Sequence, residues 1–501
     1  MAAPDVRQMA GRSAGMGVLL AACISALVVN ANTSAVTILL PAISADLGAP
    51  IEQLQWAVTG YMLVGAAVIV TSGALGDVFG RRRVFMLGLL LFVASCVVIA
   101  LAQTGTGVIL GRVIQGAAGS TILACGMSLL SVASSGAGQM RAITLWGAAS
   151  AVGAAAGPLI GGVLVDATGW QGLFWIDAVI AAACVPLTLL TVKESSDPNR
   201  PRSIDVLGTV LVAVALVPLV LALSEGSDWG WFSWKTFLCL VIAVLGAVGF
   251  VVVERRATAP LVDLALLRNK VLVGATLAIL IVAGAINALM YLLSLYFQNP
   301  DAFGMSPLDA GLATLPAAAA MIAITPLITP LAVRIGSRNA VAIGFGLAAL
   351  GFLVLFFVTA SWVYAGFVGP LIAVAVGLGL ANGPASSAST ASVSEEQVGA
   401  ASGISNMARY VGGSLFVAAV ATVSTAVTDA RRAAGESAAD ALAAGLSRSS
   451  LLLAIMSGLG VALLLMMGRH RGERPAAVHR SAAAAVIIYT IPTQPVGGSR
   501  S

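Results

Sequence analysis

The chain has 501 residues, of which 59% are hydrophobic and 9% are charged, and its mean hydropathy is +1.00. Such a composition is typical of a polytopic membrane protein and lies far outside that of soluble globular chains. The net charge is only +5, so the distribution of charge is more informative than its sum. The five cysteines fall in apolar runs without a CxxC spacing or a neighbouring histidine, and we expect no disulfide framework and no metal site.

Apolar runs long enough to cross a bilayer recur from near Gly15 to near Met467. The short polar N-terminus has no signal-peptide cleavage pattern, so we expect the first span to be retained. The sequence predicts fourteen spanning helices, near 17–41, 55–75, 84–103, 107–131, 142–165, 172–192, 206–224, 235–253, 271–297, 309–331, 340–359, 363–383, 403–426 and 450–468.

The basic residues between these spans are distributed unevenly across the membrane. Of the 26 in the chain, only Lys235, Arg431, Arg432 and Arg448 fall in connections on the side opposite the N-terminus. By the positive-inside rule, both termini are cytoplasmic in a multi-pass protein of the cell (inner or plasma) membrane. Six tryptophans fall at the predicted outer ends, where an aromatic belt is expected, namely Trp56, Trp170, Trp229, Trp231, Trp234 and Trp362.

A weak internal repeat divides the chain. GALGDVFGRRRV at Gly73–Val84 follows the second span, and PLITPLAVRIGSRNAV at Pro326–Val341 follows the tenth. Each places a tight turn and arginines behind the second helix of a six-helix block, as in two-lobed transporters. We therefore predict an all-α chain with two lobes around an inserted pair of helices. The expected segments are a cytoplasmic N-terminus at 1–16, a lobe at 17–192, a linker with the inserted pair at 193–253, a lobe at 254–468 and a disordered cytoplasmic tail near lipid at 469–501.

Small and charged residues in several segments carry a family resemblance. The turn residues Gly73, Gly76, Asp77, Gly80, Arg81 and Arg82 match the cytoplasmic-loop signature of the major facilitator superfamily. GRVIQGAAG at Gly111–Gly119 resembles its fourth-helix motif, and GAAAGPLIGG at Gly153–Gly162 resembles its fifth-helix antiporter motif. With fourteen spans, QWAVTGYML at Gln55–Leu63 and DVLG at Asp205–Gly208, the chain is similar to the fourteen-helix drug:proton antiporters.

The resemblance implies a monomeric secondary transporter that exports amphipathic drugs or antibiotics by alternating access, with protons as the coupling ion. Export of an endogenous metabolite or lipid, with weak or no proton coupling, is the alternative that the residues leave open. The sequence contains neither a GxxxxGKS nor an HExxH motif, so we expect neither an ATP-driven pump nor an enzyme. No cofactor and no nucleic-acid partner are expected.

Two motifs predict conformational elements. Gly153, Gly157 and Gly161 recur once per helical turn, which lets a neighbouring helix approach at backbone distance, and Pro158 favours a kink beside that seam. In the cytoplasmic turn, Asp77 is one helical turn before Arg81 and can pair with it. Such a charge cluster can latch one conformation of a transporter. Simple tight packing and a topology signal are the alternative interpretations of the two motifs.

Several polar residues within spans are candidates for the transport cavity. Arg112 lies inside the fourth helix, where a guanidinium costs about 2.5–3.5 kcal/mol or more unless it faces a cavity. Gln115 extends the same face, and Arg409 is the corresponding cation of the thirteenth helix, where it either faces the cavity or reaches the interface. In the first helix, Asn30, Thr33, Ser34 and Thr37 form one stripe, and Asn32 points to the opposite side. The full candidate set is Asn30, Asn32, Thr33, Ser34, Thr37, Arg112, Gln115, Asn287, Tyr291, Asn406 and Arg409.

Asn32 stands where the resembling family normally has an aspartate. An aspartate can exchange a proton for a cationic cargo, whereas an amide is neutral and can only form hydrogen bonds. The resemblance therefore implies that Arg112 has lost its acidic partner. Either coupling has moved to Asp77, Asp177 or Asp309, or proton antiport is weak or absent. Asp177 is the clearest acid within a span, at a position where the family generally has asparagine and on a helix that usually packs peripherally.

Overall fold

The computed structural model describes residues 6–133, 136–196, 205–257, 260, 262–394 and 397–466, with side chains described from residue 16 onward in the first helix. The predicted tail at 469–501 and residues 1–5 of the predicted N-terminal segment lie outside this description. The helices are α1 Val6–Leu47, α2 Ile51–Leu54, α3 Trp56–Phe79, α4 Arg81–Ala100, α5 Gly105–Ala133, α6 Gly136–Thr168, α7 Gln171–Thr191, α8 Val206–Trp229, α9 Trp234–Glu254, α10 Lys270–Gln298, α11 Pro307–Ala313, α12 Leu315–Ile335, α13 Ser337–Phe356, α14 Tyr364–Ala391, α15 Val398–Ala433 and α16 Ala438–Met466.

These helices form fourteen units that are long and apolar enough to cross a membrane, which confirms the predicted number of spans. The described residues form no β-strand, so the all-α prediction is also confirmed. Two spans are interrupted. The second begins as α2 and continues as α3 after Gln55, and the tenth begins as α11 and restarts as α12. Pro316, near the start of α12, has no N–H to donate to the preceding turn, which accounts for the second interruption.

The internal repeat is visible in the backbone. Gly80, between α3 and α4, has φ of 110°, and Gly336, between α12 and α13, has φ of 84°. Both values lie in a region that side-chain-bearing residues rarely adopt, so a glycine is required at each turn. The two turns occupy corresponding places in the two six-span blocks, as the sequence repeat predicts.

Small residues bring α1 and α6 into close contact. A Cβ atom at Gly153 would overlap the carbonyl of Leu27, and one at Gly157 would overlap the carbonyl of Ala31. The close helix approach predicted from the GxxxGxxxG spacing is therefore confirmed, and its partner is the first helix. This seam fixes the position of the polar residues of α1 relative to the rest of the first block.

The two blocks join at the end of the bundle opposite the Gly80 turn. The hydroxyl of Ser294 in α10 donates to the carbonyl of Thr37 at 2.7 Å, and Gln298 donates to the carbonyl of Ile38 at 3.0 Å. On the other side of the bundle, α11 packs on α6, where a Cβ atom at Gly311 would lie 2.7 Å from the carbonyl oxygen of Pro158. Contacts of this kind hold that end of the bundle together.

Of the inserted helices, α8 lies against the seam between the blocks. Helix α8 packs on α3 of the first block and on α15 of the second, whereas α9 packs mainly on α8. The hydroxyls of Thr71 and Thr209 are within hydrogen-bond distance of each other, and Thr422 donates to the carbonyl of Leu223 at 2.6 Å. Helix α8 is thus bonded to both blocks, and α9 is held through its packing on α8.

One predicted interface residue has a different environment. Trp170 is buried, with 2% of its surface exposed, and its indole N–H donates to Asp46 at 2.8 Å. The prediction that it belongs to an aromatic belt at the membrane surface is wrong. Trp170 directly precedes α7, and its packing against the end of α1 buries the ring.

Candidate functional site

A fully buried arginine is the centre of the candidate site. Arg112 in α5 has 0% of its surface exposed. Its Nε donates to the carbonyl of Ala57 at 3.0 Å, and its Nη1 donates to Asn32 Oδ1 at 2.6 Å and to Gln115 Oε1. The guanidinium carbon lies 4.2 Å from the ring centre of Tyr61, a cation–π contact. Helices α1, α3 and α5 together surround this charge.

Asn32 links the arginine to an acid. Its Oδ1 accepts from Arg112, and its Nδ2 donates to Asp177 Oδ2 at 2.7 Å. Because a guanidinium has only donors and a carboxylate only acceptors, this orientation of the amide is the one that satisfies both neighbours. The chain of contacts therefore runs from Asp177 through Asn32 to Arg112, and each of the three residues is at most 5% exposed.

Asp177 lies on the inner face of α7, which packs against α1 and α4. A buried carboxylate is costly unless it is paired and hydrogen-bonded. Asn32 supplies one hydrogen bond, and the positive charge of Arg112 lies one residue further along the chain of contacts. This arrangement is the kind of site in which gain or loss of one proton changes the bonding of several groups.

The expectation that Arg112 lacks an acidic partner is wrong in one respect. The acid is present in the same cluster, but it is carried by α7 and reaches the arginine through an amide. A sequence signal existed, since Asn32 stands where the family has aspartate and Asp177 where it generally has asparagine. Relative to the family pattern, the acid and the amide have changed places between α1 and α7. This could be recognised only once the structure showed Asn32 and Asp177 in contact.

The predicted stripe on α1 forms no hydrogen bond to Arg112, Asn32 or Asp177 within the described part of the chain. Asn30 donates to the carbonyl of Ala26 at 2.8 Å, and Thr33 and Ser34 likewise bond to carbonyls of their own helix. Thr37 is buried where Ser294 of α10 approaches its carbonyl. Asn32, on the opposite face of the helix, is the residue that reaches Arg112.

The cavity candidates of the second block are dispersed. Arg409 donates to Asn382 Oδ1 at 2.9 Å and to Ser386 Oγ at 2.7 Å, both on α14, so it is bonded within its own block. Asn287 donates to the carbonyl of Ala283, one turn earlier in α10. Asn406 is half-buried, and Tyr291 is buried beside a cavity at the end of the bundle opposite the Gly80 turn. Within the part of the chain that the structure describes, none of these four residues contacts the Arg112 cluster.

The other two acids proposed for coupling have structural partners. Asp77 forms an ion pair with Arg81 at 2.8 Å at the Gly80 turn, which confirms the predicted pairing. Asp309 is exposed at the start of α11, where Ser306 donates to its carboxylate at 2.9 Å and accepts from its backbone N–H. Ser306 is the N-cap of α11, and Asp309 is the third residue of the helix, as in a capping box. Neither acid belongs to the Arg112 cluster.

Sequence reasoning missed Glu194, which completes the turn. Its carboxylate lies 4.0 Å from Arg82 Nε and 3.6 Å from Arg83 Nε, and it accepts from the backbone N–H of Arg82. The N–H of Arg81 donates to the carbonyl of Ser195 at 2.8 Å. The segment after α7 is thereby tied to the start of α4. Glu194 is far from the motif in sequence, so no local pattern indicated this contact.

Comparison with known proteins gives a consistent result. The family model described as Major Facilitator Superfamily matches residues 22–417. The tetracenomycin C resistance and export protein of Streptomyces glaucescens is 32% identical over 80% of this chain and 74% of its own length. The cephamycin export protein of Amycolatopsis lactamdurans is 31% identical over 81% of this chain and 84% of its own. The multidrug resistance protein Stp of Mycobacterium tuberculosis is 32% identical over 77% and 72%.

Solved structures agree on the fold. An auto-inhibited peptide transporter of the POT family aligns with a TM-score of 0.67 at 16% identity, covering 92% of this chain and 99% of that one. A bacterial homologue of the human lysosomal transporter Spinster, in an inward-facing and unoccupied conformation, aligns with a TM-score of 0.63 at 16% identity, covering 91% and 97%. At such low identity these alignments bear on the fold alone.

Proposed function

This chain belongs to the Major Facilitator Superfamily, and we propose that it exports amphipathic drugs or antibiotics from the cell in exchange for protons. It is a multi-pass membrane transporter and not an enzyme. Relatives that are 31–32% identical over 77–81% of this chain are named for the export of tetracenomycin C or cephamycin, or for multidrug resistance. Their names support a small-molecule antibiotic as cargo.

The observation that carries proton coupling is the chain of contacts from Asp177 through Asn32 to Arg112. When Asp177 is ionised, its carboxylate accepts the N–H of Asn32, and the carbonyl of the same amide faces the guanidinium. Protonation removes the negative charge and weakens the charge-assisted bond to the amide. The guanidinium then has one fewer compensating charge in its surroundings, and the packing of α1, α5 and α7 responds.

Protonation of Asp177 thereby shifts the equilibrium between two conformations of the transporter. A ligand shifts a two-state equilibrium by the difference in its affinity for the two states, and a proton acts by the same rule. In the proposed cycle, Asp177 takes up a proton when the site is open to the outside and releases it inside. A cationic or neutral amphipathic cargo travels the other way, and the two movements are coupled because both alter the Arg112 cluster.

Alternating access supplies the movement in this proposal. The α1–α10 and α6–α11 contacts would hold the outer end closed, with the termini and the Gly80 turn on the cytoplasmic side. Opening of that end would require the Ser294–Thr37 and Gln298–Ile38 bonds to break. The Gly80 turn, held by the ion pairs of Asp77 and Glu194 within the first block, would move with that block as the opposite end closes.

The proposal is tested by expression in a host that lacks its own efflux pumps. A panel of antibiotics first identifies cargos to which the chain confers resistance. Uptake of one of these into everted vesicles is then measured with and without a protonophore. Proton-coupled export predicts that uptake collapses when the proton gradient is dissipated, and that Asp177→Asn abolishes gradient-driven uptake at unchanged protein level.

The opposite results would identify the alternative function. Uptake that persists without a proton gradient would refute proton antiport. A deletion strain with altered release of a metabolite or lipid and unchanged drug tolerance would instead favour export of an endogenous compound. Asp166→Asn, at an exposed position near the end of α6, serves as the matched control for loss of one carboxylate.

A further inference from the structure

A second candidate binding site lies away from the Arg112 cluster. A cavity of about 670 Å³ opens at the end of the bundle opposite the Gly80 turn, and we refer to it as the outer cavity. Its walls are the ends of α1, α8, α10 and α15, together with α2 and the starts of α3 and α16. Its volume lies within the range of sites that hold drug-sized molecules. One wall therefore comes from the inserted helix α8, whose role the sequence left undefined.

The charge of the outer cavity is predominantly negative. Its lining contains the carboxylates of Glu52, Glu225 and Asp429 and the guanidinium of Arg432. That guanidinium lies 3.8 Å from a carboxylate oxygen of Asp301, outside the lining, so its charge is partly compensated. A concave site lined by one sign of charge between apolar walls raises the local concentration of the opposite charge. This cavity therefore favours a cation.

Aromatic side chains contribute to the same surface. Trp56, Tyr291 and Tyr296 line the outer cavity, and the aliphatic residues Leu292 and Leu295 lie between the two tyrosines on α10. Aromatic faces attract cations and also bury apolar surface. The combination of carboxylates and aromatic rings suits a lipophilic cation better than a hydrated metal ion.

Two buried polar atoms of the lining lack a partner. Gln55 is 4% exposed and Ser224 is 8% exposed, and both line the outer cavity. Neither Gln55 Oε1 nor Ser224 Oγ forms a hydrogen bond with any part of the chain that the structure describes. Buried polar atoms are nearly always bonded, so an unpartnered pair beside a cavity indicates a missing group. Both oxygens can accept an N–H.

We propose that the outer cavity binds a lipophilic organic cation that carries N–H groups, such as an aromatic amine or ammonium compound. The carboxylates supply the charge complement, the aromatic rings contact the apolar body, and Gln55 and Ser224 accept the N–H groups. The inserted helix α8 thus provides part of a binding site as well as packing across the seam. This site deepens the proposed export function, on which its role as a cargo site near the outer surface rests.

Ethidium is a suitable probe because it is an aromatic cation with amino groups. Its binding to the purified full-length protein in lipid nanodiscs is followed by fluorescence anisotropy. Replacing both Glu225→Gln and Asp429→Asn is expected to weaken binding about 3- to 10-fold, the effect of losing two partly exposed charge interactions. Asp166→Asn removes an acid from the same end of the bundle outside the cavity and is expected to leave binding unchanged. Unchanged affinity in the double variant would overturn the proposal.

A labelling measurement locates the probe without changing any acid. Thr425 lines the outer cavity, so Thr425→Cys places a thiol there. A cationic methanethiosulfonate reagent is expected to label this thiol faster than an anionic one of similar size, and ethidium is expected to slow the labelling. The unsubstituted protein corrects for labelling of its own five cysteines. Equal rates for the two reagents, or no protection by ethidium, would contradict the proposed site.

The same measurements in an Asp177→Asn background separate the two proposals. Ethidium binding at the outer cavity needs no proton gradient, so it is expected to persist when coupled transport is lost. Loss of transport with retained binding would support both assignments. Coupled transport that persists in the Asp177 variant would refute the coupling assignment. The ethidium-binding and labelling results would then still decide whether the outer cavity is a binding site.

Discussion

Exchanging the residues at positions 32 and 177 tests whether the acid of the Arg112 cluster is the coupling group. Asp177→Asn leaves an amide facing an amide and removes the titratable group. Asn32→Asp creates two carboxylates at the positions now joined by a 2.7 Å hydrogen bond. The double variant Asn32→Asp/Asp177→Asn restores one acid and one amide, with the acid now next to Arg112.

The magnitude follows from the geometry. Two carboxylates about 4 Å apart repel by about 4 kcal/mol at an effective dielectric constant of about 20. Arg112, bonded to position 32 at 2.6 Å, offsets part of this repulsion. We therefore expect a coupling energy of about 2–4 kcal/mol between the two substitutions, at the upper end of values for residues in one hydrogen-bonded network. The double variant is expected to be at least about tenfold more active than Asp177→Asn.

The assay is gradient-driven uptake of the identified antibiotic into everted vesicles over a range of pH, with protein level measured in each membrane preparation. Asp177→Asn is expected to lose the pH dependence together with the gradient-driven part of uptake. The double variant is expected to recover both in part, because it again has one titratable group in the cluster. The reasoning is refuted if Asp177→Asn keeps the native pH profile, or if the double variant is no better than the single variants.

Three further substitutions probe the rest of the structure. Arg112→Lys cannot reproduce the hydrogen bonds to three residues and is expected to lower transport by about tenfold or more at normal protein level; native activity would show that charge alone suffices. Gly157→Ala places a methyl group against the carbonyl of Ala31 and is expected to destabilise the protein by about 1–3 kcal/mol, seen as a lower melting temperature in detergent. Gly147→Ala, in the same helix with no atom within 4 Å of its Cβ position, is the control and should be neutral or slightly stabilising. Asp309→Asn should keep gradient-driven uptake within about twofold, since surface changes have small effects, and loss of uptake would return Asp309 to the coupling candidates.

The number of spans could be predicted because bilayer thickness fixes the length of an apolar helix. The Gly80 and Gly336 turns could also be predicted, since glycine is needed where φ is positive and arginines mark the turn. The sequence did not predict the interruption at Thr314, although Pro316 is the physical cause. It also did not predict that the inserted helix α8 contacts both blocks, because its apolar surface has no periodic pattern that identifies a partner.

Only part of the candidate site could be predicted from the sequence. Arg112 and Gln115 could be paired because they lie one turn apart on one helix, and the structure shows their hydrogen bond. The link between Asn32 and Asp177 spans 145 residues, and no helical periodicity relates positions on separate helices. The outer cavity could not be predicted for the same reason, since its lining comes from seven helices whose arrangement depends on tertiary packing.

The most direct test of the central claim is proton movement driven by cargo alone. The purified protein is reconstituted into liposomes that contain a pH-sensitive dye, and a gradient of the identified antibiotic is imposed at equal pH on both sides. Antiport through Asp177 predicts that protons move in the direction opposite to the cargo. Cargo that enters liposomes containing the native protein therefore raises the internal pH, whereas liposomes with Asp177→Asn show no change. Cargo movement without any pH change in the native protein, or the same pH change in the variant, would contradict the account.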